Sequence, residues 1–227
     1  MYTVYNTVYC VYTHIQVRTM YQIISPAAII VSGPSGCGKT TLIKDLIRYK
    51  KELFSIKPTR VVYYYAIYQS VFDSMPGVEF IQGRPMSLEP FRTDEHVLII
   101  IDDQMLELLN DEITATLFIS SCHHDCNSVI IVTPNIFHQG KNARTISLNA
   151  HMMFLFANCR DRSSIGFLAR QMYPRKSGIL TEAFEDATRN KPYHYLCVDL
   201  SPHLRDEDLR LRTHILPYKK CIVYKPL

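Results

Sequence analysis

No stretch of this 227-residue chain approaches the ~18 consecutive apolar residues that a membrane-spanning helix needs, so no membrane association is expected. The N-terminus also lacks a basic segment followed by an apolar core, the pattern of a secretory leader. A paired cysteine framework is missing too. The seven cysteines are odd in number and scattered: Cys10, Cys37, Cys122, Cys126, Cys159, Cys197 and Cys221. They read as the reduced thiols of a cytosol or nucleus. Repeats, long linkers and any second domain are absent from the pattern. What remains is 47% hydrophobic and 20% charged, which at this length suits one globular domain of α/β size and excludes a disordered chain. The net charge of +4 and pI near 8.6 are mildly basic. That balance is compatible with nucleic acid and does not require it.

Residues 1–21 are biased to Tyr, Thr and Val. They read either as an added edge strand or as an extension outside the fold, with the domain proper spanning 22–227. From Ser25 the pattern changes. The apolar run Ala27–Val31 reads as a strand buried on both faces, and it ends in a Gly-rich turn. In the TLIKDLIRYKK segment that follows, Leu42, Ile43, Leu46 and Ile47 share one helical face. Further strands are predicted at Val61–Ala66, Val78–Ile81, Val97–Ile101, Val129–Thr133, Met152–Ala157 and Tyr193–Leu200. Helices are predicted at Gln69–Met75, Glu107–Ser121, Arg162–Met172 and Leu180–Thr188. Apolar strands alternating with helices imply an α/β fold, with a mostly parallel central sheet covered by helices on both faces.

Gly33-Pro34-Ser35-Gly36-Cys37-Gly38-Lys39-Thr40, followed by Thr41, matches the phosphate-binding P-loop (Walker A) in its strand-loop-helix context. Its bland reading is a glycine-rich turn before a helix. The chemistry explains the spacing. Glycines let the backbone wrap closely around phosphate, and N–H groups converge at a helix N-terminus. Lys39 is expected on the β- and γ-phosphates of ATP, and Thr40 on Mg²⁺. Asp102 and Asp103 end the most apolar strand, as a Walker B pair does. Asp102 is expected to hold Mg²⁺ and Asp103 to activate water; the bland reading is a helix cap at Gln104. Asn135 ends the next core strand, where an amide senses γ-phosphate or simply makes a turn. Cys122-His123-His124-Asp125-Cys126 is too crowded for a closed zinc site and reads as a turn before a strand. Lys141, Arg144, Arg160, Arg162, Arg170, Arg175 and Lys176 make the stretch after Asn135 basic. They suit a phosphate backbone, an arginine acting across a subunit boundary, or a solvated surface.

Taken together, IIVSGPSGCGKTTLIKDLI, VEFIQGRP, LIIIDDQM, SVIIVTPNIFHQGKNARTISLNAH, FANCRDRSSIGFLARQMYP and EDATRNKPYHYLCVDL resemble the genome-packaging ATPases of Polinton elements and adintoviruses, a branch of the FtsK/HerA group akin to poxvirus packaging ATPases. The resemblance covers about residues 25–216. It implies a RecA-like P-loop NTPase fold of ASCE type, with the sensor strand between the P-loop and Walker B strands. It further implies a homo-oligomeric ring, double-stranded DNA and capsid proteins as partners, and a place in the host nucleus or cytoplasm or with the virion. Two motifs depart from the family. Thr133-Pro134-Asn135 stands where Thr-Gln-Asn is usual, and Asp125 where an arginine often follows the paired histidines. Arg144 is then the first choice for the arginine acting in trans, with Arg160 and Arg162 next. Competing readings are a nucleotide kinase or other P-loop NTPase, and an inactive endogenous copy that only binds nucleotide or DNA. The LSGGQ-like signature of an ABC ATPase is missing.

Overall fold

A computed structural model describes residues 12–13, 22–102, 111–137, 142–189, 192–204 and 206–225, with the backbone alone for 12–13 and 121–124. The central strands are β2 (Ala28–Ser32), β3 (Arg60–Tyr65), β4 (Glu79–Gln82), β5 (Val97–Asp102), β6 (Ser128–Thr133) and β7 (Met152–Phe156). These six run parallel in the order β7-β2-β6-β5-β3-β4. The continuous apolar runs of β2, β5, β6 and β7 follow from burial on both sides, whereas β4 is the partly exposed edge strand. Ile29, Val31, Leu98, Ile100, Ile130 and Val132 pack on one face with Leu42, Ile43, Leu46 and Ile47 of α1 (Lys39–Arg48). The alternate residues Ala28, Ile30, Ile99, Ile101, Val129 and Ile131 pack on the other. There they meet α3 (Glu112–His124), α4 (Ala143–Leu148), α5 (Ser163–Met172) and α6 (Gly178–Thr188). A one-turn helix, α2 (Lys50–Leu53), follows α1.

Beyond β7 the sheet continues antiparallel through β8 (Tyr195–Asp199), β9 (Leu211–Thr213), β10 (Ile222–Tyr224) and β1 (Tyr12–Thr13). A single crossover helix returns the chain for a parallel neighbour. Here α5 and α6 pack together as a pair between β7 and β8, and β8 therefore enters from the opposite end. Of the segment 1–21, Tyr12–Thr13 forms the outermost strand, paired to β10.

Two expectations are corrected. The helix expected over 107–121 runs Glu112–His124, its earlier part lying outside the described residues. The Cys122–His124 run is thus the end of α3 rather than a turn. The turn comes at 125–127, where Cys126 takes φ 53°. No Gly or Pro interrupts the chain between Glu112 and His124, so nothing in the sequence stops the helix sooner. Among the described residues no cluster of three metal-ligating side chains occurs, and no helix is long and apolar enough to cross a membrane.

Candidate nucleotide-binding site

Loop 33–38 joins β2 to α1 at the C-terminal edge of the parallel strands, where open α/β sheets carry their ligands. The root of the loop is tied to the neighbouring strand, because Gly33 N–H donates to the Thr133 carbonyl at 3.0 Å. A side chain at position 33 would collide: a Cβ would lie 2.6 Å from Phe156 Cβ and 2.7 Å from Cys37 Sγ. Gly38 caps α1 with φ 105°, a left-handed conformation that a side chain strains. The Lys39 ammonium arches back over the loop and donates to the carbonyls of Gly33 at 2.8 Å and Pro34 at 3.0 Å. Ser35, Gly36 and Thr41 are exposed; Pro34, Cys37 and Thr40 are half-buried. Burial pushes the Cys37 thiol up, and the Lys39 charge opposes this only in part. These features fit a phosphate: a glycine-rich cup, an ammonium over the loop and the orphan N–H groups that open a helix.

Strand register carries the acidic side of the site to the same edge. Ser32 lies opposite Thr133, and Ile131 opposite Ile101, so Asp102 stands level with Val31, two residues short of the root of the loop at Gly33. Asp102 is 3% exposed, and its Oδ2 accepts a hydrogen bond from the Tyr63 hydroxyl at 2.5 Å. The Thr40 hydroxyl donates to Gln69 Oε1 at 3.5 Å, the limit of such a contact. A hydroxyl and a carboxylate are the hard oxygen donors that Mg²⁺ takes. Asp103 lies outside the described residues.

Asn135 follows β6, and its side chain is already engaged. Its Nδ2 donates to Asp161 Oδ2 at 3.1 Å, and its Oδ1 accepts from Phe137 N–H at 3.0 Å and from the Ser164 hydroxyl at 3.4 Å. The Asp161 carboxylate also accepts the Ser163 hydroxyl, the Ser164 hydroxyl and the Ser164 N–H. These bonds, with the Ser164 hydroxyl foremost, hold its pKa below the usual carboxylate range. Sequence reasoning missed Tyr63, Gln69, Asp161 and Ser164. Only Asp161 left a signal, as an acidic residue three positions before a helical serine, the pattern of an N-terminal cap.

Arg144 is exposed on α4 and lines an open groove with Ile136, Phe137, Leu148 and Phe167; no residue of loop 33–38 lines it. The structure therefore does not bring Arg144 to the loop of its own chain. Arg160, Arg162, Arg170, Arg175 and Lys176 are likewise exposed, with Arg170 stacked over Phe167 at 4.7 Å. Lys141 lies outside the described residues.

Fold and loop together define the class: an α/β, RecA-like P-loop NTPase fold in which the sensor strand β6 sits between the P-loop strand β2 and the Asp102 strand β5. That is the order the sequence resemblance implied. Solved structures share the architecture. The DNA-packaging ATPase B204 of Sulfolobus turreted icosahedral virus is similar with a TM-score of 0.53 at 14% identity, over 88% of this chain and 98% of that one. The genome-packaging NTPase B204 of Sulfolobus turreted icosahedral virus 2, in complex with ATP-gammaS, is similar with a TM-score of 0.50 at 14% identity over the same shares. At such identities the likeness is one of fold. No protein-family model matches the chain, and no curated protein is similar to it in sequence.

Proposed function

We propose that this protein is an ATP-hydrolysing motor that moves double-stranded DNA into a capsid, of the Polinton/adintovirus type within the FtsK/HerA group. The observation that carries the reading is the convergence of loop 33–38, Lys39, Thr40, Asp102 and Asn135 on one sheet edge. The motif resemblance and the fold shared with B204, described as a DNA-packaging ATPase, supply the DNA and the capsid. Lys39 binds the β- and γ-phosphates, Thr40 and Asp102 hold Mg²⁺, and Asp103 takes the proton of the attacking water. Mg²⁺ neutralises charge on the phosphates. In this reading Asn135, held by Asp161, senses the terminal phosphate. A ring of identical subunits threads the duplex, with Arg144 of one subunit completing the site of the next.

A motor that passes a whole genome must grip phosphates without reading bases. ATP turnover is therefore expected to rise several-fold with any long duplex, whatever its sequence. It should fall back with salt, since affinity drops with a log–log slope of about −0.9 per phosphate neutralised. The measurement is ATPase rate with and without duplex, with GMP as a competing acceptor and oligomer mass determined in ATP. No stimulation by duplex, together with phosphorylation of GMP, would replace this reading with a nucleotide kinase.

A further inference from the structure

The residue pressed against Gly38 at the end of the phosphate loop is Tyr193. A Cβ on Gly38 would lie 2.9 Å from Tyr193 Cδ1 and 3.3 Å from its Cα, so ring and backbone both abut the loop. Two further observations mark the residue. Its φ is 64°, a left-handed conformation that is costly for a bulky side chain and is tolerated mainly where function holds it. The residue is also 63% exposed, whereas Tyr195, two residues on, is buried in the core beside Phe154 and Phe156. The chain thus anchors one tyrosine and turns the other outward over the loop. Alongside, His194 Nδ1 meets His214 Nε2 at 3.2 Å, and His214 is itself left-handed at φ 58°. Two strained residues therefore fix the segment that presents the ring.

A triphosphate seated in loop 33–38 leaves its nucleoside beyond the loop. Tyr193, exposed and packed against Gly38, has its ring at that end of the loop. Resting on the nucleotide-binding reading above, we propose that Tyr193 is the platform on which the base of the bound nucleotide stacks. Stacking uses the π-face common to all bases, so this contact adds affinity without choosing between adenine and guanine.

Equilibrium binding of ATP, GTP and inorganic tripolyphosphate tests this. Tyr193→Ala should weaken ATP and GTP alike by on the order of 10- to 100-fold and leave tripolyphosphate unchanged, because only the base contact is lost. Tyr193→Phe should bind as the parent does, and Tyr193→Leu should follow Tyr193→Ala. Tyr193→Gly relieves the left-handed backbone and should fold at least as well while losing the same affinity. Parent-like ATP binding by Tyr193→Ala would overturn the platform. Equal weakening of ATP and tripolyphosphate would overturn it as well, showing that the residue only shapes the loop. Lys39→Ala separates the two readings, since it should lose ATP and tripolyphosphate together. A parent protein that binds neither ligand would remove the nucleotide reading and the platform with it.

Discussion

Asp102 reaches the end of β5 with one carboxylate oxygen already committed to the hydroxyl of Tyr63, itself wholly buried. The contact is diagonal. Tyr63 lies opposite Ile100 and Tyr65 opposite Asp102, so Tyr63 and Asp102 share a face two steps apart. A hydrogen bond to a charged group contributes about 1.5–3 kcal/mol, and here it also fixes the direction of the carboxylate. Tyr63→Phe is expected to lower stability by about that much. It should also raise severalfold the Mg²⁺ concentration that gives half-maximal turnover. An Mg²⁺ titration of ATPase rate checks this, and an unshifted midpoint with lost stability would make Tyr63 a packing residue only. The loop, Asp102 and Asn135 were legible in the sequence because backbone chemistry constrains them locally. Tyr63 was hidden in a run of three tyrosines, since only the register with β5 shows which one meets Asp102. Asn135 could be singled out at its strand end, but its partners Asp161 and Ser164, just before and on α5, are 26 and 29 residues away.

Elements hold together through a few polar networks as well as through apolar faces. His96, before β5, joins three segments. Its Nδ1 lies 2.6 Å from the Ile56 carbonyl, which requires an Nδ1–H donor. Its Nε2 then accepts from the Ser128 hydroxyl at 2.8 Å, while that hydroxyl accepts from Ala27 N–H at 3.0 Å. Burial, partly opposed by the Ile56 carbonyl, favours the neutral ring and lowers its pKa from the ordinary 6.5. The unfolded chain thus binds a proton more readily than the folded one. The network's contribution is fully present above pH 6.5 and is lost as pH falls through the folded value. Urea unfolding should show stability falling below about pH 6.5, and His96→Gln should flatten that slope. A parent-like slope in the variant would assign the titration elsewhere.

The same scale separates what the sequence showed from what it did not. The parallel strands were legible as apolar runs. β9 and β10 were not, because each has three residues and β9 carries Arg212. That arginine is fully buried and meets Asp199 on β8 at 2.8 Å, a pairing across strands that no local pattern announces.

For the whole molecule, the question is whether one subunit is a complete engine. Arg144 lies on an exposed helix in a groove without loop residues, so within one chain it does not reach the phosphates. An arginine that acts between subunits is worth 10³–10⁵ in turnover where it has been removed elsewhere. Arg144→Ala alone should therefore be nearly inactive. Mixing it with Lys39→Ala subunits should restore part of the activity, because some interfaces pair an intact loop with an intact arginine. Full activity of Arg144→Ala by itself would dismiss it and turn attention to Arg160 and Arg162.

Thr133 serves two masters. Its carbonyl holds the root of the loop through Gly33, and its hydroxyl donates to the carbonyl of Asn135 at 2.7 Å. Asn135 in turn grips Asp161 and Ser164, where α5 begins. Strand β6, bonded along both edges, has no freedom to slide, because a one-residue slip would turn its side chains inside out. Thr133 then behaves as a shared hinge pin in a linkage with few loose joints. The root of the loop and the start of α5 are thus tied to the same two residues, so a shift of either is borne by Thr133 and Asn135.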